Sequence, residues 1–379
     1  MSSSTEPLST RAQRMLAGQA TPEYLVRHFE GSRSPCHAGS NPEGYIGLCV
    51  AENKLVARMV ADRLDRVGRV PPEVLGYDAM PGSPRFRRQL ARFMGRTFLG
   101  REFDPQQISV LAGAGSVLEI LFHALGDPGD GVLVPTPSYA GFWGDLELRN
   151  GLAIVPVHRA SADGFQLTTE LLDRALAGAG RPVKALLYTN PDNPLGTVAG
   201  RAEMELILGW AEARGLHLVV DEIYALSVFG GRAFTSVARA LPSLGERVHI
   251  VWAFSKDFGA SGLRCGVLVS ESPAVNAAVE AFAYWACCSG HTQYLLGEII
   301  ADDAWVDGYV AAMRGLLGAA YHRVADALHA AGIPPRVNGH GGKCEERIAP
   351  ELADRAVSLY VGEKAFAGSI HGSLQCVSC

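Results

Sequence analysis

Residues 216–224 read LHLVVDEIY, and residues 248–259 read VHIVWAFSKDFG. Each begins as a short apolar run, the pattern of a strand buried on both faces of a mainly parallel sheet. Each also hands over to chemistry where it stops: Asp221 closes the first run, and Lys256 follows the second in what reads as a polar loop. In open α/β sheets, ligands bind beyond the C-terminal ends of the strands, so a carboxylate and an amine at two such ends mark a candidate site. Working outward, VLAGAGSVLEILFHAL (110–125) reads as strand, glycine turn and helix, and GVLVPTPSY (131–139) as a strand ending in a proline-rich loop. LAIVPVHR (152–159), KALLYTNPDNPLG (184–196) and LRCGVLVS (263–270) add strands, and MELILGWAEARG (204–215) a helix. Strands alternating with helices predict an α/β domain. A long helix is expected over residues 305–331, leading to a C-terminal lobe.

Composition narrows the function classes. The 379 residues, 48% of them hydrophobic, suffice for one large core and a smaller lobe. A net charge of -5 without long like-charge runs gives no nucleic-acid footprint and no polybasic membrane patch. No apolar stretch approaches the roughly 20 residues that span a bilayer. The polar N-terminus, MSSSTEPLSTRAQRM, lacks a signal peptide's apolar run, so a cytoplasmic protein is expected. Its eight cysteines are then expected as thiols. Cys376 and Cys379 form a C-x-x-C pair that would need two more ligands, from His340, Cys344 or His371, to hold zinc; no metal site is assigned. With only five lysines against abundant arginine, alanine and glycine, the coding bias is that of a GC-rich bacterium.

Each candidate residue has a bland reading beside the functional one. Ala114, Gly115 and Ser116 follow Gly113 at a helix start, where free N–H groups and the helix dipole suit a phosphate, or where a tight turn alone is needed. Asp221 either serves the sheet's binding edge or caps the next segment. Asn193 sits in a turn cluster that could be purely structural. Lys256 and Arg264 flank a glycine-containing loop and could be solvated surface charges.

Taken in order, the glycine turn, PTPSYAGF, NPDNPLG, DEIY, SKDFG and an arginine eight residues after the lysine resemble the fold-type I pyridoxal-phosphate (PLP) enzymes, in their aminotransferase branch. The resemblance covers residues 44–342. Within that branch the chain resembles the 1-aminocyclopropane-1-carboxylate (ACC) synthases through GYIGLCVAENKL (44–55), YDAMPGSPRFRRQLARFM (77–94), residues 132–157 and SKDFGASGLRCG (255–266). It implies an α/β large domain with a mainly parallel seven-stranded sheet over residues 76–304. An N-terminal arm and small-domain segment (1–75) and a linking helix with a C-terminal small-domain segment (305–379) would make a smaller α+β domain. It further implies that Lys256 holds the cofactor as a Schiff base and later moves the substrate Cα proton, and that Asp221 pairs with the pyridine nitrogen. Asn193 and Tyr224 would bond O3′, Tyr139 would stack on the ring, and Ala114, Gly115, Ser116, Ser255 and Arg264 would bind the phosphate. Tyr77 would reach the phosphate of a second subunit, implying a homodimer. Glu52 would lie near the substrate's amino or sulfonium group.

Three departures bear on the product. Ala253 stands where relatives carry a phosphate-binding serine, and Met80 where plant ACC synthases carry a tyrosine. After VNGHGG (337–342), relatives continue into an aromatic-rich strand and a carboxylate-gripping arginine. Here KCEERIAPELADRAV follows, Arg347 and Arg355 lack the expected neighbours, and no carboxylate anchor is assigned. The segment after Gly342 is read as genuinely divergent, as truncated, or as carrying a change of frame, the last two together being the preferred expectation. The expected activity is ACC-synthase-like chemistry on S-adenosylmethionine, with loss of methylthioadenosine from Cγ, giving ACC or a γ-substituted or annulated product of bacterial secondary metabolism. The competing readings are a class I/II aminotransferase using a 2-oxo acid and an inactive PLP-fold homologue.

Overall fold

The computed structural model describes residues 8–330 apart from 18–22, 38 and 48. Seven strands form one sheet: β1 (Ile108–Leu111), β2 (Gly131–Thr136), β3 (Ala153–His158), β4 (Val183–Thr189), β5 (His217–Asp221), β6 (Val248–Ala253) and β7 (Gly266–Ser270). Their order is β1-β7-β6-β5-β4-β2-β3. All run parallel except β7, which is antiparallel to both of its neighbours. Arg264, immediately before β7, therefore reaches the same sheet edge as the residues that follow β1, β2, β4, β5 and β6.

The near-continuous apolar runs are explained by two cores, one on each face. Successive strand side chains point to opposite faces. Leu218 and Val220 of β5, Ile250 and Trp252 of β6, and Val267 and Val269 of β7 enter one core; Val219, Val251 and Leu268 enter the other. The second core is closed by helices Ala114–Leu125 and Pro273–Ala283, through Val117, Leu121 and Val279. The first is closed by helices Pro84–Met94, Arg201–Ala213 and Asp303–Ala330, through Phe86, Leu90, Ile207, Trp210, Tyr309 and Met313. Each such side chain contributes about 1.5–3 kcal/mol on burial. Only β3, at the sheet edge, is partly open along its length.

Local chemistry sets the helix starts. Ser83 accepts a hydrogen bond from Phe86 N (3.2 Å) and Pro84 fills the first helical position, which is how GSPRF begins the helix Pro84–Met94. The long helix expected over 305–331 begins earlier, at Asp303, because Asp302 accepts from Trp305 N at 3.0 Å and caps it. Its last described residue is Ala330. Two internal hydrogen bonds tie it to the sheet edge: Tyr309 Oη to Asp257 O (2.9 Å) and Arg314 Nε to Leu226 O (2.8 Å). Arg63–Asp302 (3.1 Å) and Arg96–Asp307 (2.7 Å) add solvent-facing ion pairs, each worth at most about 1 kcal/mol.

Among the described residues no helix is long and apolar enough to cross a membrane, and no group of His, Cys, Asp or Glu could hold a metal ion. Cys376, Cys379, His340, Cys344, His371, Arg347 and Arg355, and with them most of the C-terminal segment, lie outside the described residues.

Candidate active site

The turn after β1 and the loop before β7 build one rim together. Gly113 adopts φ +97, and a Cβ there would fall on the Arg264 guanidinium. Gly266 packs as closely on the Gly113 backbone. Glycine at both positions lets Arg264 approach the start of helix Ala114–Leu125. Arg264 itself sits in the left-handed region (φ +50) and donates through Nη1 to Ser261 O (3.0 Å) and through Nη2 to Ala112 O (3.2 Å). Val117 makes the first bond into the helix, to Gly113 O at 3.1 Å, so the N–H groups of Ala114, Gly115 and Ser116 precede the intrahelical ladder. Ser116 Oγ donates to Ala112 O at 3.2 Å. Ser255 is buried close by in sequence to Lys256. A guanidinium beside three free N–H groups is a dianion cradle.

Asp221 ends β5 and is 6% exposed. Its carboxylate accepts one hydrogen bond among the described residues, from Ile223 N at 3.2 Å. Burial pushes its carboxyl up to about 7; the Ile223 N–H and Lys256 oppose this, and Asp145 adds to it. A buried carboxylate with so little compensation is costly, and a cationic ring N–H is the partner it lacks. Asn193 Nδ2 lies 3.4 Å from Tyr224 Oη, so the turn after β4 and the segment after β5 converge on one polar pair. Tyr139, after β2, is 44% exposed. This combination of anion cradle, unpaired acid, amide–phenol pair and available aromatic face fits the phosphate, ring nitrogen, ring hydroxyl and ring plane of PLP.

Lys256 lies in a short helical turn, Phe254–Asp257, where SKDFG was expected to be a polar loop. The reason is Asp257. Its carboxylate accepts from Ser227 Oγ (2.6 Å), Trp252 Nε1 (2.8 Å) and Leu226 N (3.0 Å), and its carbonyl accepts from Tyr309 Oη. Burial pushes the Asp257 carboxyl up to about 6, against those same hydrogen bonds. Lys256 Nζ donates to Ala51 O at 2.7 Å. Desolvation lowers its pKa, aided by Arg264 and opposed by Glu52 and Asp221.

The N-terminal segment reaches this turn. Gly259 (φ +58) faces Asn53 O, 2.8 Å from where a Cβ would stand. Glu52 Oε1 accepts from Ser261 Oγ at 3.1 Å, and its other oxygen is 4.0 Å from Lys54 Nζ. Residues 51–53 thus lie beside the Lys256–Arg264 loop. Both polar atoms of the Asn53 side chain are buried without partners among the described residues. Tyr77, by contrast, is 95% exposed and makes no contribution to this site within the one chain.

Sequence reasoning missed three supports. Asp257 is one. The second is the buried pair of Arg159 and Asp192 (2.9 Å); Arg159 also donates to Thr136 O (3.2 Å) and Pro137 O (2.8 Å). It ties the loop carrying Tyr139 to the turn carrying Asn193. Its only sequence signal is a charged residue closing each apolar run. The third is Asp145, whose Oδ1 would stand 3.2 Å from a Cβ at Gly115, and whose carboxyl burial pushes up to about 6.

Comparisons with known proteins give the family and the fold. The family model for aminotransferase class I and II matches residues 45–357. ACC synthase 4 of Oryza sativa subsp. japonica is 36% identical over 370 residues, covering 88% of this chain and 74% of that protein. ACC synthase 5 of Arabidopsis thaliana is 34% identical over 347 residues, covering 86% and 74%. Among solved structures, aspartate aminotransferase from Thermus thermophilus with maleate superposes with a TM-score of 0.68 at 24% identity, covering 86% of this chain and 81% of that one. The Thermotoga maritima aspartate aminotransferase gives 0.69 at 22%, covering 94% and 90%. The structural likenesses speak for the fold, and the sequence likenesses carry the assignment further: the chain belongs to the aminotransferase class I and II family, as a PLP-dependent enzyme of fold type I close to the ACC synthases.

Proposed function

We propose that this enzyme acts on S-adenosylmethionine, removing its Cα proton and releasing methylthioadenosine from Cγ, with ACC or a γ-substituted or annulated compound of bacterial secondary metabolism as product. The observation that carries this reading is the placement of Glu52 beside the Lys256–Arg264 loop, held to Ser261 at 3.1 Å. A carboxylate there can meet a sulfonium. The attraction is about 4 kcal/mol at 4 Å with an effective dielectric near 20, before desolvation and the partial exposure of Glu52 reduce it. A neutral thioether gains nothing similar.

Bound PLP supplies a sink for the electron pair left at Cα. The residues that would hold it are Lys256 at the aldehyde, Asp221 at the ring nitrogen, Asn193 and Tyr224 at O3′, and Tyr139 against the ring face. Ala114, Gly115, Ser116, Ser255 and Arg264 would take the phosphate. Lys256 then serves as base, and its desolvation together with the nearby Arg264 cation favours the neutral amine that this needs. Asp221 keeps the ring nitrogen protonated. The carbonyl of Ala51 meets Lys256 Nζ from the N-terminal side at 2.7 Å. A second reading, transamination to a 2-oxo acid, draws on the aminotransferase family model and uses the same cofactor residues.

A homodimer belongs to this proposal. Tyr77 and Leu75 are 95% and 85% exposed, and Tyr284 and Trp285 are 61% and 76% exposed, more apolar surface than a lone chain gains by leaving bare. A second copy would cover it and bring Tyr77 to the neighbouring phosphate.

Four measurements follow. Borohydride reduction of the loaded enzyme should fix the cofactor on Lys256, and a label on Lys184 or Lys54 would refute the assignment. The second concerns Asp221, whose carboxyl is raised to about 7, well above its ordinary value. A raised acid stabilises the fold at low pH and loses that contribution as pH climbs through about 7, whereas a cationic partner removes the loss. The gain in Tm on adding PLP should therefore grow more steeply between about pH 5.5 and about pH 7 in the unmutated enzyme than in Asp221→Asn. A pH-independent gain in the unmutated enzyme would count against the pairing. Third, incubation with S-adenosylmethionine should release methylthioadenosine, seen by mass spectrometry. Glu52→Gln should lower kcat/KM for that substrate by about tenfold or more, or about 1.4 kcal/mol, with the visible spectrum and Tm nearly unchanged. Unaltered kinetics would remove the reason for preferring this substrate to an ordinary amino donor. Finally, light scattering should give twice the 40.3 kDa chain mass, and a monomer with full PLP affinity would exclude the shared site.

A further inference from the structure

A second cavity, of about 550 Å³, opens on the molecule away from the residues gathered above. It lies between the turn after helix Pro84–Met94, the first turn of helix Arg201–Ala213, and the segment that follows Phe234. Arg101, Arg201 and Arg239 line it, with Gly100, Thr235 and Ala238 between them. Its volume is in the range of small-molecule sites, but its lining is charged, which excludes an apolar occupant.

The three guanidiniums are held but not satisfied. Arg101 lies over the Phe103 ring at 4.3 Å and donates through Nη1 to Pro242 O at 3.0 Å. Its Nη2 is 3.0 Å from Glu271 Oε1, close enough for charge attraction but not aligned for a hydrogen bond. Its Nη2 is taken up by Glu271 in this ion pair, and its Nε is a buried donor without an acceptor among the described residues. Arg239 donates through Nε to Phe98 O at 3.1 Å and has no carboxylate partner among the described residues. Gly100, at φ +80, makes room for it, since a Cβ there would stand 2.7 Å from Arg239 Nε. Arg201 pairs with Glu205 at 3.1 Å in an exposed contact that competes weakly with a ligand. Three cations face two carboxylates, so the pocket is net positive, with Arg239 the guanidinium left without a carboxylate among the described residues.

The pocket wall is bonded to the catalytic edge of the sheet. Thr235 O accepts from Asn190 Nδ2 at 3.5 Å, and Asn190 N donates to Asp221 O at 3.0 Å. Glu222, next to Asp221, accepts through Oε1 from Ser236 Oγ (3.0 Å) and Val237 N (2.8 Å), while its Oε2 is buried without a partner. A shift of residues 235–238 therefore has two short routes to the Asp221 backbone.

We propose that this cavity is an effector site for a small organic polyanion bearing two or more phosphate or carboxylate groups, and that its occupancy is felt at Asp221. Guanidinium forks recognise both kinds of oxyanion in the same bidentate way. The site stands independently of the substrate reading.

The test uses PLP-loaded enzyme, so that the cradle at Gly113–Ser116 is filled, and titrates it at low salt with pyrophosphate and with citrate by calorimetry. One saturable site per chain is expected, with affinity reduced about tenfold or more in Arg239→Gln and in Arg201→Gln. Retention of the visible cofactor band in both variants shows that they are folded and loaded. Tighter binding of pyrophosphate assigns the site to phosphorylated ligands, and tighter binding of citrate to polycarboxylates; either supports it. No saturable binding of either probe, or binding undiminished in both variants, overturns the site. Saturation should also change KM or the visible band in the unmutated enzyme but not in the variants. An unchanged KM and band at saturation would overturn the link to Asp221.

Discussion

The buried carboxylate of Asp257 holds together the parts that matter most. Three donors reach it, from the strand before it, from the segment after β5 and from the backbone of Leu226, and the long C-terminal helix bonds its carbonyl. A fully buried acid is tolerable only when its oxygens are this well occupied. Removing it would strand Trp252 Nε1 and Leu226 N inside the protein, each at a cost of about 1–3 kcal/mol. Phe254 and Phe258, one on either side of it in sequence, anchor the turn in the aromatic cluster of Phe86, Phe93, Trp252 and Tyr309. Lys256 is therefore a flexible side chain on a backbone that has very little freedom, which is what a reactive amine needs from its scaffold.

The two ionisable groups proposed for the chemistry are perturbed in opposite senses by one cause. Desolvation raises Asp221 and lowers Lys256, so burial drives both toward neutrality. A cationic ring nitrogen, as proposed for the bound cofactor, would restore charge to the acid without charging the amine. This division of labour, one group kept ionised by its partner and the other kept neutral by its surroundings, depends on depth in the sheet and not on the identity of the substrate.

Much of this arrangement was legible in the chain. Apolar runs closed by Asp221, Asn193, Tyr139 and Lys256 gave both the strands and the edge at which they end, because a parallel sheet buried on two faces needs uninterrupted apolar residues and leaves polar ones only at its rim. Arg264 was marked out only by the family resemblance, as an arginine eight residues after the lysine. The reversal of β7 was not, since antiparallel and parallel strands buried on both faces have the same composition. The Arg159–Asp192 pair was hidden for a similar reason: 33 residues separate its members, and only folding shows that two loop ends meet. Asp257 was in plain view inside SKDFG yet read as loop polarity, because a sequence cannot distinguish a solvated acid from one that has collected three buried donors. The arginine cavity had no sequence signature at all, its members coming from three distant segments.

The reversed strand has a consequence for the chain's tolerance of change. Because β6 arrives at the rim and β7 departs from it, the nine residues from Lys256 to Arg264 form a bridge pinned at both ends. Its length acts as a ruler between the amine and the guanidinium. An insertion elsewhere in the surface loops is absorbed by solvent, whereas one here would alter the separation of the amine and the guanidinium that are proposed to hold two ends of the cofactor. Within this bridge, loop length would then be as tightly constrained as residue identity, even where the intervening side chains touch nothing of consequence.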